Sequence, residues 1–205
     1  MTVAFILYGH DDDSYMLGKS TYRPPEAERY LYHDWRFGKD GVPHPATCPT
    51  CGRKVDRNFV SAAFKVKKRR RDITATYDGY ALVSQRFFDL CNENEWGSGQ
   101  FVPLPADRKF YWLKPSRLLE FEGKRSAQCP TCLGFCSLTR PAPVFLDRLS
   151  SPLLEGFYRS DLEFGSGPEQ SFVIVASYSL GLKLRAAKLV GLDLEALPRG
   201  SSKAI

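Results

Sequence analysis

The chain has 205 residues, 43% hydrophobic and 25% charged, enough to bury a substantial core and unlike a disordered or fibrous polypeptide. Its net charge of +6 has a local origin: Lys65, Lys67, Lys68, Arg69, Arg70 and Arg71 are six of the 29 basic residues, and the remaining 23 match the 23 acidic ones. That balance argues against a broad basic face for nucleic acid, and no run reaches the roughly 18 apolar residues of a membrane span.

Residues 3–8 (Val-Ala-Phe-Ile-Leu-Tyr) are apolar, carry no basic flank and run into Asp11-Asp12-Asp13. They predict a strand rather than a signal peptide, and a cytosolic protein whose thiols stay reduced. The three aspartates read as solvated loop carboxylates, with a divalent cation as the rarer use of such a cluster. Residues 15–37 are rich in Tyr, Trp, Phe and Arg, with a short helical possibility at 26–32. Within that segment Tyr22, Arg23, Tyr30, Tyr32, Trp35 and Arg36 are the candidate partner-binding residues, because aromatic and Arg side chains anchor interfaces. Packing of core and rim is the competing use.

A Pro/Gly loop then delivers Cys48-Pro49-Thr50-Cys51-Gly52, followed by scattered apolar anchors over 54–68 and the basic run 65–71. Residues 72–77 alternate as a strand does, and Asp78-Gly79 marks a turn. Over 81–91, Leu82, Val83, Phe87, Leu90 and Cys91 fall at helical spacing, with Ser84 as a candidate N-cap and Cys91 as a buried hydrophobe. Short strands are expected at 100–104 and 110–113. A second knuckle follows, Cys129-Pro130-Thr131-Cys132, with Cys136 four residues beyond. The last third predicts a strand over 157–164, a turn at 165–168, an apolar run 171–175 and a helix over roughly 177–189. Gly191 is expected to stop that helix, a strand to cover 192–197, and a frayed tail to follow.

Two thiolates three residues apart can grip one ion, and two matched knuckles supply the four sulfurs of a tetrahedral structural zinc site. Cys48, Cys51, Cys129 and Cys132 are therefore the candidate ligands of one structural Zn²⁺ per chain. Two independent redox pairs or reduced core cysteines remain the alternatives, and Cys136 admits an iron–sulfur reading. Between Cys51 and Cys129 lie 77 residues, against roughly 15–20 in a compact zinc ribbon. A layer of structure must separate the two halves of the site. Each knuckle is followed by strand, apolar run, helix and strand, which suggests an internal repeat.

The three histidines, His10, His33 and His44, occupy no hydrolase, kinase or zinc-protease motif. Four cysteines would close the coordination shell that a catalytic zinc keeps open. Gly165-Ser166-Gly167-Pro168 is a turn, since Pro168 has no amide to offer a phosphate. No catalytic constellation emerges. Lys67, Lys68, Arg69, Arg70 and Arg71 are the candidate contacts of a nucleic-acid-binding alternative, weighed against an edge strand guarded by its cations.

Cys48-Pro-Thr-Cys-Gly, the stretch from Thr76-Tyr77-Asp78-Gly79-Tyr80 to Ser84, the second Cys-Pro-Thr-Cys and the stretch 158–166 together resemble the double-CXXCG family of bacterial immunity proteins. The likeness covers most of residues 45–198. The second knuckle departs from it, because Cys132 is followed by Leu133-Gly134 and not directly by Gly. The resemblance implies a bacterial cytoplasmic, non-enzymatic protein that binds and neutralises a cognate toxin encoded nearby, with Cys48, Cys51, Cys129 and Cys132 as the family's cysteines. The expected fold is α+β in one domain, 1–205. Two related knuckle-strand-helix-strand units, 45–105 and 126–198, share a zinc-ribbon-like four-cysteine site, and a strand and aromatic/Arg-rich segment, 1–44, precede them. Expected partners are the toxin domain and no membrane, with nucleic acid as the alternative.

Overall fold

The computed structural model describes residues 2–18, 44–96, 101–141 and 152–198. In chain order the strands are β1 (Thr2–Asp11), β2 (Ile73–Ala75), β3 (Ala81–Ser84), β4 (Phe101–Pro103), β5 (Phe110–Leu113), β6 (Leu118–Leu119), β7 (Lys124–Arg125), β8 (Ser137–Thr139), β9 (Phe157–Ser166), β10 (Ser171–Ser177) and β11 (Leu192–Pro198). Two helices interrupt them, α1 (Gln85–Glu93) and α2 (Tyr178–Ala186). The class is mixed α+β.

β1 is the axle of the sheet. It pairs antiparallel with β10 along residues 4–7 and antiparallel with β11 along residues 2–9. Its end, at His10 and Asp11, runs parallel to β2. The order is β4-β5-β3-β2-β1-β10-β9-β8-β7, with β11 added at β1 and β6 at β9. Strand pleating sends alternate side chains to opposite faces, and β1 uses both. Leu7 joins Ile73, Val83, Phe157 and Ile174 under α1 and α2, which contribute Phe87, Cys91, Leu180 and Leu184. Ala4 and Ile6 face the other way, with Leu119, Phe121, Tyr158, Phe164 and Val175. A third cluster lies around Met16, Phe64, Tyr80, Leu82 and Trp112. Both helices thus cover one face of the sheet.

Each helix starts where a strand runs out at a serine. Ser84 Oγ accepts the Phe87 amide at 3.2 Å, and Ser177 Oγ accepts that of Leu180 at 3.4 Å. These bonds satisfy amides that the first helical turn would otherwise leave unpaired. The cap at Ser84 is the expected one, but residues 81–84 before it are strand rather than helix. There Leu82 and Val83 point to opposite faces, into two different clusters, a period-two pattern that short apolar spacing cannot separate from a helical one. α2 ends at Ala186, short of the expected 189, and Lys188 takes a left-handed φ of 49° beyond it. Gly191 is not the helix stop: its φ of 82° turns the chain into β11, against the Ile73 carbonyl. β6, β7 and β8 were not anticipated; with two or three residues each, they carry no readable alternation. The tail beyond 198 and the six aromatic and Arg candidates between Tyr22 and Arg36 lie outside the described residues. No helix among the described residues is long and apolar enough to cross a membrane.

Candidate metal centre

The two knuckles have the same backbone. Cys48 N–H donates to the Arg53 carbonyl at 2.8 Å and Gly52 N–H to the Cys48 carbonyl at 2.9 Å. In the second, Cys129 N–H reaches the Gly134 carbonyl at 2.8 Å and Leu133 N–H the Cys129 carbonyl at 2.9 Å. Antiparallel bridges, Thr47 to Lys54 and Gln128 to Phe135, close each loop at its base. The residue after the second cysteine is left-handed in both, with φ of 72° at Gly52 and 57° at Leu133. The departure from Cys-Gly thus leaves the turn unchanged and loads its cost onto Leu133.

The knuckles meet face to face. Cys48 Sγ lies 3.8 Å from Cys129 Sγ, and Cys51 Sγ 3.6 Å from Cys132 Sγ. Thr50 and Thr131 share a hydroxyl–hydroxyl hydrogen bond of 2.7 Å. Every pair is offset by 81 residues, so a local twofold relates the two turns. All four sulfurs lie within 4.8 Å of one another, close enough to hold a metal ion. Four sulfurs about 2.3 Å from one centre stand about 3.8 Å apart in a tetrahedron, so the donor set fits such an ion. Cys48 and Cys129 are buried, while Cys51 and Cys132 are half-buried. The Cys132 and Thr131 amides, Cys132's first, aim at the Cys129 sulfur and draw its thiol down to about 6. Burial pushes Cys51 and Cys132 up. Protons held on the Cys51 and Cys132 sulfurs are what a cation would replace.

The β9–β10 turn carries both knuckles. Its 3-10 segment Gly167–Glu169 receives Gly52 against Pro168, and Gly167 N–H donates to the Cys136 carbonyl at 3.1 Å. Arg53, one residue beyond the first knuckle, lies on the backbone of Gly134 in the second and donates to Glu163 of β9 at 2.8 Å. Arg57 reaches the same carboxylate at 3.2 Å. Sequence reasoning missed this clamp, although Arg53 adjoins one motif and Glu163 lies within another. His44 stands outside the four-sulfur group; its Nδ1 accepts the Ala46 amide at 3.0 Å and so shapes the entry to the first knuckle. Burial holds its pKa below the ordinary histidine value. Cys91 is buried in the helix-side core, as expected, and Cys136 stands outside the four-sulfur group.

The basic run is tied down by the aspartates expected to be solvated. Asp12 is fully buried; its carboxylate accepts the amides of Lys67 at 3.1 Å and Lys68 at 2.7 Å, together with the Ser14 hydroxyl. The Lys67 ammonium donates to the Asp13 carbonyl, and Lys68 Nζ pairs with the Asp13 carboxylate at 2.7 Å. Arg69 forks onto Asp107 and lies over the Phe110 ring, and Arg71 donates to the Asp11 carbonyl at 2.5 Å. Arg70 is exposed. The run is a loop ahead of β2, not a guarded edge strand. A carboxylate can be buried here because oriented amides replace its water.

No protein-family model, curated protein or solved structure matches this chain.

Proposed function

We propose that this protein is a bacterial immunity protein that binds and neutralises a cognate toxin by stoichiometric occlusion, with one structural Zn²⁺ held by Cys48, Cys51, Cys129 and Cys132. The observation that carries the reading is the convergence of the two Cys-Pro-Thr-Cys turns, the residues that most specifically resemble the double-CXXCG immunity family, on one four-sulfur site. Zinc suits four thiolates, and a four-thiolate shell is closed to substrate. On this reading the chain is a cytoplasmic binding protein rather than an enzyme. It is two related knuckle-strand-helix-strand units stapled by the ion, and the matched turns and serine-capped helices support that division. The nucleic-acid alternative loses support, since four of its five cations are engaged within the chain: Lys67 with the Asp13 carbonyl, Lys68 with the Asp13 carboxylate, Arg69 with Asp107 and Arg71 with the Asp11 carbonyl.

The test is co-expression with the toxin domain encoded beside it, followed by size-exclusion chromatography and titration calorimetry. A 1:1 complex, together with rescue of growth, is expected. Absence of both from zinc-loaded protein, or salt-sensitive nucleic-acid binding abolished by alanines at Lys67–Arg71, overturns the reading.

A further inference from the structure

Next to the Arg53–Glu163 clamp, between β3, β5, β9 and β10, lies a small cavity with about 30 Å³ of room for water centres. A buried water needs about 10–15 Å³ of such room, so the space matches about two waters, or the head of one carboxylate. Among the described residues four cations line it, Lys54, Arg57, Lys114 and Arg159, against a single wall carboxylate, Glu163. That carboxylate is already shared by Arg53 and Arg57.

Each of the four cations rests on an aromatic ring. Lys54 Nζ lies 5.0 Å from the Tyr80 centroid and Lys114 Nζ 4.7 Å from that of Trp112. The Arg57 and Arg159 guanidiniums lie 5.9 and 4.1 Å from the Phe172 centroid. Ring faces hold cations in place but do not neutralise them. Each retains one neutral oxygen or the shared carboxylate: Lys54 the Asp78 carbonyl, Lys114 the Asn58 amide oxygen, Arg159 the Pro115 carbonyl at 2.9 Å. Burial depresses the pKa of Lys54, Lys114 and Arg159, and the neighbouring guanidiniums add to it for the last two. More distant carboxylates, Asp78 toward Lys54 and Asp56 toward Lys114, offset only part of this.

A second observation is independent of the charge. Gln170, 2% exposed, lines the same cavity. Its Nε2 is used on the carbonyls of Phe135 and Gly165, while its Oε1 has no hydrogen-bond partner among the described residues. A buried acceptor left unmatched at a cavity wall calls for a donor, which an ionised carboxylate lacks, so a water held in the cavity beneath an anion at its mouth would complete it.

We propose that this cavity is a binding site for a carboxylate group, which Arg159, Arg57 and Lys114 grip at the mouth while Lys54 supplies the charge from below. A planar two-oxygen anion fits both the room and the forked guanidinium donors. Its source is either a free small carboxylate or an acidic side chain offered by a bound protein.

The experiment is a titration of the full ¹⁵N-labelled chain at constant ionic strength, following the Arg159 Nε–H and Gln170 side-chain signals. The probes are acetate and the capped tripeptide Gly-Asp-Gly, with chloride as control. Saturable shifts with acetate are expected, at a Kd no tighter than roughly tens of micromolar for four non-hydrogen atoms. Lys114→Gln and Arg159→Gln should each weaken binding about tenfold or more, and Arg159→Lys should restore part of it. Lys114 is only half-buried, so its variant keeps the test usable if Arg159→Gln fails to fold. A tripeptide that binds more tightly than acetate assigns the site to a protein side chain; equal or weaker binding assigns it to a free carboxylate. Shifts that do not saturate, that chloride reproduces, or that survive both Gln variants overturn the proposal.

Discussion

At the residue scale, two matched positions carry opposite strain. Gly52 and Leu133 follow the second cysteine of their knuckles with nearly the same left-handed φ. A side chain there costs about 1–2 kcal/mol, and glycine returns about 0.5–1 of it through the freedom of its unfolded chain. Leu133→Gly should therefore stabilise by up to about 1 kcal/mol, all the more readily because the leucine is exposed. Gly52→Ala should cost about 1–2 kcal/mol, since it also brings a Cβ to 3.3 Å from Pro168 Cδ. Denaturant melts at equal metal saturation check both signs. Asp12→Asn turns a buried acceptor of two amides and a hydroxyl into a group that is half donor, and should cost about 2 kcal/mol or more. The exposed Asp13–Lys68 pair behaves differently. Lys68, then Tyr77, hold the Asp13 carboxyl below its ordinary 3.8. Its contribution is present above 3.8 and lost as the pH falls through the lower folded value. Lys68→Ala should lower stability at neutral pH, and its melting curve should converge on the wild-type curve in acid.

At the scale of elements, α2 shows packing overruling propensity. Gly181 is inside the helix, where alanine is worth about 1 kcal/mol more. A Cβ at 181 would enter the ring of Phe5, itself only 3% exposed and stacked 5.8 Å from Tyr178. Gly181→Ala should therefore destabilise by about 1–3 kcal/mol despite its better propensity, as thermal melts would show. The reverse sign would mean that Phe5 has room to move. The serine caps are the simpler case. Ser84→Ala removes an acceptor from the first turn of α1 and should cost about 1 kcal/mol, most visibly as faster amide exchange in α1.

At the scale of the molecule, the four-sulfur site joins segments that are remote in sequence but share the β9–β10 turn as a base. A metal bound there would be bound only by the folded chain, so its binding energy becomes folding energy. Chelation should lower the thermal midpoint by more than about 10 °C. Cys48→Ser and Cys129→Ser should each abolish one-to-one zinc content by elemental analysis. Zinc retained by either variant would show that the two turns do not share an ion.

The sequence by itself determined the local chemistry: the two Cys-Pro-Thr-Cys turns, a turn after β9 that falls at Gly167–Glu169 and so two residues later than expected, the serine that starts α1, the buried Cys91 and the strand at the N-terminus. Each of these is set by side chains close along the chain, whose spacing alone restricts what they can do. Tertiary structure decided the rest. It placed residues 81–84 in a strand, because Leu82 and Val83 are drawn to opposite faces of the sheet. It put both helices on one face and set Arg53 of one knuckle on Gly134 of the other. It also turned an acidic loop and a basic loop, more than fifty residues apart, into mutual ligands. Charge runs read in isolation point to solvent. Only folding shows whether their counterions come from water or from another part of the chain, because that choice depends on which amides and carboxylates lose water together.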